Sequence, residues 1–569
     1  MNALDWFVLL GTMLGIAAYG TWRTRHTDNL NTYLKGNHTT KWGTIGLSVM
    51  ATQASTITYL SLPGQAYESG IAFIQNYFGL PLALIIVCAV FLPIYRKLGV
   101  YTAYEYLGKR FDAKTRLLGA SLFLLQRGIQ AGITIYAPAI ILSTVLGWPL
   151  ELTIVFTGLL VIIYTVTGGS AAVNLTQKWQ MAVIFGGMVT AFVVLLIKLP
   201  PDATRLAGAM GKLQAVDFTP DLERRYTFWS GLLGGLFLSL SYFGTDQSQV
   251  QRYIGGAALR EGRLGLMFNA VFKIPMQFFI VMLGALLFVF YMFQPTTPVF
   301  FNQTEWRRHF DGAEGPKFRA IEAKHTGLHA QRAAAAHAWA DASRGGDPVI
   351  EAATRAAMGE AQKKVDAVRK EAKDALIAAN PRAKTKDSDY VFVTFILTQL
   401  PHGVIGLLIA VMFASALSSK AGELNALGTT STIDLWRHFR PLAAHDEARN
   451  VRNAKWFTAL WGLFAIGFAL FVRLAENLIE FLNIVASIFY PALLGVFIVA
   501  FFLKKVGGSA VFWAAIAAQL VVVGIFAYGK ANPAHEIGYL WLNPIGCAAC
   551  VVFSLILQTL LPPRNAAVA

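Results

Sequence analysis

"ATQASTITYLSLPGQ", residues 51–65, lies inside an apolar run long enough to cross a bilayer, yet it sets threonine, glutamine and serine at mid-span. A Pro-Gly pair follows within the same stretch. Backbone that leaves helical geometry at membrane depth is tolerated only beside protein or a water-filled cavity. A second such interruption is "SYFGTDQSQVQR", residues 241–252. About twenty apolar residues span a hydrocarbon core of about 30 Å. On that rule the chain reads as thirteen spans, approximately 4–22, 43–68, 72–95, 115–144, 151–167, 178–199, 228–250, 264–293, 402–424, 455–473, 478–503, 509–528 and 540–561. The two interrupted spans are five apart, at matching places in two runs of five helices, 43–199 and 228–503. That is the pattern of an inverted-repeat transporter with its substrate near the midplane.

Composition agrees. Of 569 residues, 55% are hydrophobic and 14% charged, against roughly 25% charged in a soluble domain; mean hydropathy is +0.50. The net charge of +16 comes without a basic helix or an RNP-like pattern, so nucleic acid is not an expected partner. Lys and Arg fall mainly between the apolar runs, as membrane placement predicts. "YRKLGVYTAYEYLGKRFDAKTR", "QRYIGGAALREGR", "WRHFRPLAAHDEARNVRNAK" and "LKK" share one side of the count. The lipid bilayer is therefore the expected surroundings, with the N-terminus outside, the C-terminus cytoplasmic, and a bacterial-type composition that suggests the inner membrane. "LDWFVLLGTMLGIAAYG" followed by "TWRTRH" reads as a retained helix, not a cleaved signal. Cys88, Cys547 and Cys550 lack the partners of a metal or redox site and read as packing.

Residues 295–388 break the apolar pattern. They are Ala-rich and charged, with helical periodicity in "EAATRAAMGEAQKKVDAVRKEAKDALIAA". By the count they lie outside, as a solvated helical hairpin or as a docking module for a protein partner. "DYVFVTFILTQLP", residues 389–401, then reads as a short helix on the outer surface.

Several strings in order resemble the sodium:solute symporter family: "YLKGNHTTKWGTIGLSVMATQAS", "YTAYEYLGKRF", "IYAPAIIL", "TGGSAAVNLTQKWQ", "SYFGTDQSQVQRYIGG", "FKIPMQFF" and "FASALSSKAGELNALGTTSTIDLW". The resemblance covers essentially all but 295–388, and "PGQAY" and "IYAPA" are most similar to the branch of iodide, monocarboxylate and multivitamin carriers. It implies an all-α integral membrane protein of LeuT-type 5+5 inverted-repeat architecture. Residues 1–24 would be an extra N-terminal helix, 40–199 the first repeat, 228–503 the second with the insert, and 509–561 two extra C-terminal helices. It also implies a sodium ion as coupled substrate. The matching positions are the carbonyls of Ala51, Ala54 and Ser415 and the hydroxyls of Ser418 and Ser419. Neutral oxygens suit a hard cation, and an unwound helix frees carbonyls. The two serines are equally able to bond back to their own preceding turn.

The chain departs from the family in places. The acidic residue often found in "TDxxQ" is Gln177, with Lys178 beside it. Lys420 and Glu423 stand where small residues are usual, and three apart they can pair on one helix face. One sodium per cycle is the resulting expectation.

For substrate, Arg127 lies eleven residues past Arg116, about 16 Å into a helix at 1.5 Å per residue. A charge there marks function by default, and a guanidinium matches a carboxylate. Arg127 either takes the substrate or has a structural partner, Asp246 or free carbonyls; Asp246 stands where many relatives have Asn. Asp246 in turn binds substrate, pairs with Arg127 or takes up a proton. Lys273 is one residue out of register with a lysine that contacts sugar in the sugar carriers. Gln53, Thr56, Thr58, Gln75 and Asn76 are uncharged substrate candidates, and Tyr242, Phe243 and Tyr490 are gate candidates that packing would also explain.

The expected function is sodium-coupled symport of a small organic solute, an organic anion such as a carboxylate or acidic sugar. The alternatives are a proton-coupled or uncoupled carrier, or a membrane substrate sensor, although the tail "LPPRNAAVA" is short for a signalling domain. No HExxH, GxSxG or paired intramembrane aspartates point to an enzyme.

Overall fold

A computed structural model describes residues 1–23, 41–53, 55–100, 102–254, 257–300, 303–312, 314–381, 383, 385–440, 447–471 and 477–561, without the side chains of 16–23, 167–179, 304, 447 and 448. In chain order the helices are α1 (Ala3–Arg23), α2 (Trp42–Gln53), α3 (Thr56–Ser69), α4 (Ile71–Leu98), α5 (Ala103–Arg110), α6 (Ala113–Leu146) and α7 (Leu150–Lys198). There follow α8 (Ala203–Ala209), α9 (Ser230–Gly244), α10 (Gln247–Ile254) and α11 (Leu259–Phe293). The polar insert forms α12 (Gln303–Phe310), α13 (Gly315–Gly345) and α14 (Pro348–Ala379). The remainder is α15 (Ser388–Gln399), α16 (Val404–Phe439), α17 (Glu447–Phe471), α18 (Leu478–Phe502), α19 (Gly508–Ala531) and α20 (Tyr539–Leu560).

Among the described residues nine helices are long and apolar enough to cross a membrane, and Ala3–Gly15, Leu150–Val166 and Ser230–Gly244 are shorter apolar helices. The broken pair α2–α3 brings the sum to the thirteen spans expected. One boundary between spans is absent. The spans expected at 151–167 and 178–199 fall within a single helix, α7. Its two ends nevertheless run in opposite directions, as two spans must. Ile162 meets Gly462 and Gly158 meets Ile466 on α17, while Gly187 meets Leu408 near the start of α16. Because α16 and α17 are antiparallel (Leu424 beside Gly462, Gly428 beside Thr458), the arm 150–166 descends toward the level that the arm 180–198 leaves.

Both expected breaks are present. The first lies between Gln53 and Thr56, with Ser55 extended (φ −68°, ψ 172°). The Thr58 hydroxyl donates to the freed Gln53 carbonyl at 2.9 Å, and that of Thr56 to Met412 O on α16 at 2.5 Å. The second lies between Gly244 and Gln247. There three buried tyrosines supply the missing donors: Tyr253 to Phe243 O at 2.7 Å, Tyr95 to Gly244 O at 2.6 Å and Tyr104 to Thr245 O at 2.9 Å. Unpaired carbonyls at this depth would cost several kcal/mol each, about the cost of an unsatisfied polar group in hydrocarbon.

Glycine sets the closest approaches to α3. A Cβ at Gly64 would strike the Ser388 carbonyl of α15, and one at Gly284 of α11 the Pro63 carbonyl. Small residues of this kind let membrane helices pack backbone to backbone. The insert is a helical hairpin: α13 and α14 run antiparallel, with Lys324 2.7 Å from Glu371 and Arg332 3.1 Å from Gln362. It sits on one end of the bundle, where Arg332 donates to Tyr291 O at the end of α11 (2.6 Å) and Lys386 pairs with Glu68 at the end of α3 (2.8 Å).

Candidate functional site

The first break faces α9, the helix that leads into the second, across a cavity of roughly 140 Å³, room for about five waters at about 30 Å³ each. The first break contributes Thr52, Gln53, Ser55 and Thr58; α9 contributes Tyr242 and Phe243; α6, α11, α16 and α18 contribute Arg127, Lys273, Glu423 and Tyr490. Asn76 completes the predicted set. Thr52, Ser55, Gln130, Thr134, Ser239 and Asn483 line it without having been among the candidates, because isolated polar residues in apolar runs carry no motif. Three predicted residues do not line it. Thr56 is turned to Met412. Gln75 holds the segment before α9, donating to Tyr226 O at 3.1 Å and accepting from the Asp217 amide at 3.0 Å. Asp246 lies behind Arg127.

Asp246 is fixed by the second break. Its Oδ1 accepts from the Ser248 amide at 2.8 Å and the Ser248 hydroxyl at 2.6 Å, capping α10. Its Oδ2 accepts from Arg127 Nη2 and, at 2.5 Å, from the Tyr490 hydroxyl. Arg127 Nη1 lies 3.5 Å from Glu423 Oε1, and its guanidinium 5.5 Å from the Tyr242 ring centre. Glu423 Oε2 accepts from Lys420 Nζ at 2.6 Å and faces the Thr134 hydroxyl at 3.4 Å. Two acids and two bases thus form one chain of contacts whose charges sum to zero, which is how a membrane interior tolerates charge.

This settles how α16 continues past its polar residues. The span expected to end near 424 runs on as helix to Phe439. Lys420 and Glu423 are buried, 2% and 6% exposed, so the polar run is not a helix end meeting water. One turn earlier, Ser418 Oγ lies 2.7 Å from Gln180 Oε1 and 3.2 Å from Ser415 O, and Ser419 Oγ lies 3.3 Å from Ala416 O. Ser415, Ser418, Ser419 and Ala51 are all buried. This is a turn of neutral oxygens, a donor set that suits a hard monovalent cation. Gln180 is the one added neighbour; it ends the "TQKWQ" string. Ala54 lies outside the described residues, and so do the side chains of Gln177 and Lys178.

At the end of the bundle away from the hairpin, Asp434 of α16 accepts from Thr102 at 3.0 Å and Arg116 Nε at 2.8 Å. At the hairpin end, Asp389 of α15 accepts from the Ser61 hydroxyl at 2.5 Å and the Leu478 amide at 3.3 Å. It joins α3, α15 and the start of α18. Both ends of the cavity are therefore tied.

The model of the sodium:solute symporter family matches residues 33–299 and 372–518, and leaves out most of the hairpin. The human sodium/iodide cotransporter is 34% identical over 249 residues, 43% of this chain and 39% of that protein. Human sodium-coupled monocarboxylate transporter 1 is 33% identical over 272 residues, 47% of this chain and 45% of that protein. The matches thus span less than half the length of these two relatives. The sodium/sialic acid symporter SiaT of Proteus mirabilis is 24% identical over 573 residues, 99% of this chain and 96% of that protein. A solved substrate-bound, outward-open structure of a Na+-coupled sialic acid symporter superposes with a TM-score of 0.72 at 22% identity, covering 99% of both chains, and so shares the fold. These relatives are transporters by name, not enzymes.

Proposed function

The chain belongs to the sodium:solute symporter family, and on that premise we propose that it is a sodium-coupled symporter importing a small organic anion by alternating access. One juxtaposition carries the reading. The first helix break lines the buried cavity and is bonded to α16 at Met412, three residues before the neutral-oxygen turn of Ser415, Ser418 and Ser419. Sodium would be held by the carbonyls of Ala51, Ala54 and Ser415 and the hydroxyls of Ser418 and Ser419. Bound there, it joins α2 to α16 and orders the break that solute touches. Linkage makes this reciprocal: if sodium raises solute affinity, solute raises sodium affinity by the same factor. Solutes named for the relatives, iodide, monocarboxylate and sialic acid, support an anion.

The basic loops put the N-terminus and hairpin outside and the C-terminus in the cytoplasm of a cell membrane. Residues 40–199 and 228–503 are the two repeats, with 1–24 and 509–561 added. The ties at Asp389 and Asp434 then close the outer and inner paths.

The test is thermal stability of the purified protein with carboxylates, sugars and amino acids, each in sodium and in potassium at equal ionic strength. A carboxylate that stabilises only in sodium is the expected result, and Ser418→Ala with Ser419→Ala abolishes the sodium-specific part. A second reading, proton coupling, is favoured by the two buried carboxylates Asp246 and Glu423. Stabilisation that ignores the cation and follows pH replaces the first reading with it.

A further inference from the structure

The cavity holds a second cation that the charge chain does not reach. Lys273 of α11 is 2% exposed and lines the cavity, and its Nζ has no hydrogen-bond partner. Its nearest aromatic face is Tyr77, 5.8 Å away at the ring centre. Arg127 is differently placed. One terminal nitrogen is committed to Asp246 and Tyr490, the other faces Glu423, and only Nε is unpaired. A carboxylate could take both terminal nitrogens only by displacing acids already there. Around Arg127 two acids, Asp246 and Glu423, face Arg127, Lys420 and, from α10, Arg252. Around Lys273, among the described residues, nothing cancels. A buried ammonium with no counter-charge is costly in a low-dielectric site, and the cost is relieved by one negative charge from a ligand.

Resting on the reading of this cavity as the transport site, we propose that Lys273, not Arg127, takes the substrate's carboxylate, and that the substrate is a compact monoanion bearing a hydroxyl or N–H group. The second half follows from the other unpaired atoms. Gln53 Oε1 and Asn76 Oδ1 are buried acceptors without partners in the same cavity. A ligand that donates to them while neutralising Lys273 satisfies these three groups, and its remaining acceptor atoms can serve Arg127 Nε and Asn483 Nδ2, the unpaired donors of the same cavity. A neutral solute leaves the ammonium bare, and a dianion brings one charge too many. Arg127 is a positioning residue that holds Asp246, and through it the second helix break.

The experiment uses purified full-length protein in sodium. Affinities are measured for lactate and glycerate, for propionate without the hydroxyl, for the dianion malate, and for neutral glycerol and lactamide. The wild type is expected to prefer lactate or glycerate to all the others. Lys273→Gln weakens the preferred monoanion roughly 10- to 100-fold, the worth of a charge-assisted hydrogen bond. It also narrows the gap between lactate and lactamide, while stabilisation by sodium alone is unchanged. Lys273→Arg keeps the preference for the monoanion. Lys273→Gln binding the monoanion as the wild type does, or a wild type that prefers malate or a neutral solute or binds none of the monoanions, overturns the proposal. Loss of sodium stabilisation in the wild type instead tells against the coupling reading alone. Should Lys273→Gln fail to fold, the wild-type preference still decides.

Discussion

Arg127 is worth most to its neighbours as one member of a pair. Breaking a buried ion pair by removing one partner costs about 3–5 kcal/mol, because the other charge is left uncompensated. Asp246→Asn leaves Arg127 against Glu423 alone, and Arg127→Gln leaves Asp246 with only Tyr490 and the cap of α10. Each single variant is expected to unfold well below the wild-type temperature. The double variant should fall short of the sum of the two by about 1–3 kcal/mol, the coupling range for residues in contact. Unfolding of the four proteins in one detergent measures it; strict additivity would mean that the two side chains do not interact. At this scale the sequence was legible where a residue type is costly. A mid-span arginine, an acid in a broken helix and a serine pair announce themselves. Tyr95, Tyr104 and Tyr253 did not. Tyrosine in an apolar run reads as packing, and Tyr95 and Tyr104 act on carbonyls 149 and 141 positions away.

Helices were legible by length and breaks by composition, but the wiring between elements was not. Asp387 precedes α15 and is buried against α14, 2.7 Å from Lys373 and paired with Arg369 at 2.5 Å. Burial alone would raise its carboxyl, yet Arg369 and Lys373, with the Phe300 amide, outweigh that and hold it below its usual value. The pin is therefore charged, and it is lost only as pH falls below the ordinary carboxylate value of 3.8. His325 on α13 sets an earlier limit. It is fully buried, and neither ring nitrogen has a partner. Burial, with Arg369, His329 and Arg332 adding to it, lowers its pKa from 6.5 to about 3. The unfolded hairpin takes up this proton near pH 6.5 and the folded one does not. The stability His325 contributes is thus full above 6.5 and declines as pH falls from there toward 3. Protection of 315–379 from protease or hydrogen exchange should be flat from pH 8 to 7 and fall steadily below 6.5. His325→Phe keeps the ring volume and should flatten much of that slope. An unchanged slope would shift the cause to other groups, His329 first. None of this was visible beforehand, since the periodicity of α13 and α14 predicts a hairpin without saying what it rests on.

For the whole molecule, charge decides how the sodium gradient is used. The thirteen spans and their basic loops were readable because each bilayer crossing imposes the same length and charge rules everywhere along the chain. Stoichiometry was not, since it depends on a sum over distant residues. On the proposed reading, Asp246 and Glu423 are already met by Arg127, Lys420 and Arg252, Lys273 takes one monoanion and one turn of neutral oxygens takes one cation. One sodium moving with one monoanion carries no net charge. The membrane potential then does no work on the cycle, and accumulation follows the sodium concentration ratio alone, tenfold for each tenfold ratio or about 1.4 kcal/mol. A second sodium would add about 2.3 kcal/mol for each 100 mV, close to fiftyfold. Proteoliposomes with a fixed sodium gradient separate the cases. Uptake of the preferred monoanion should reach the same plateau at zero potential and at an imposed inside-negative potential, with no steady current. A plateau that rises with potential would require a second cation, and the residues around Gln177 and Lys178 would be the place to seek it.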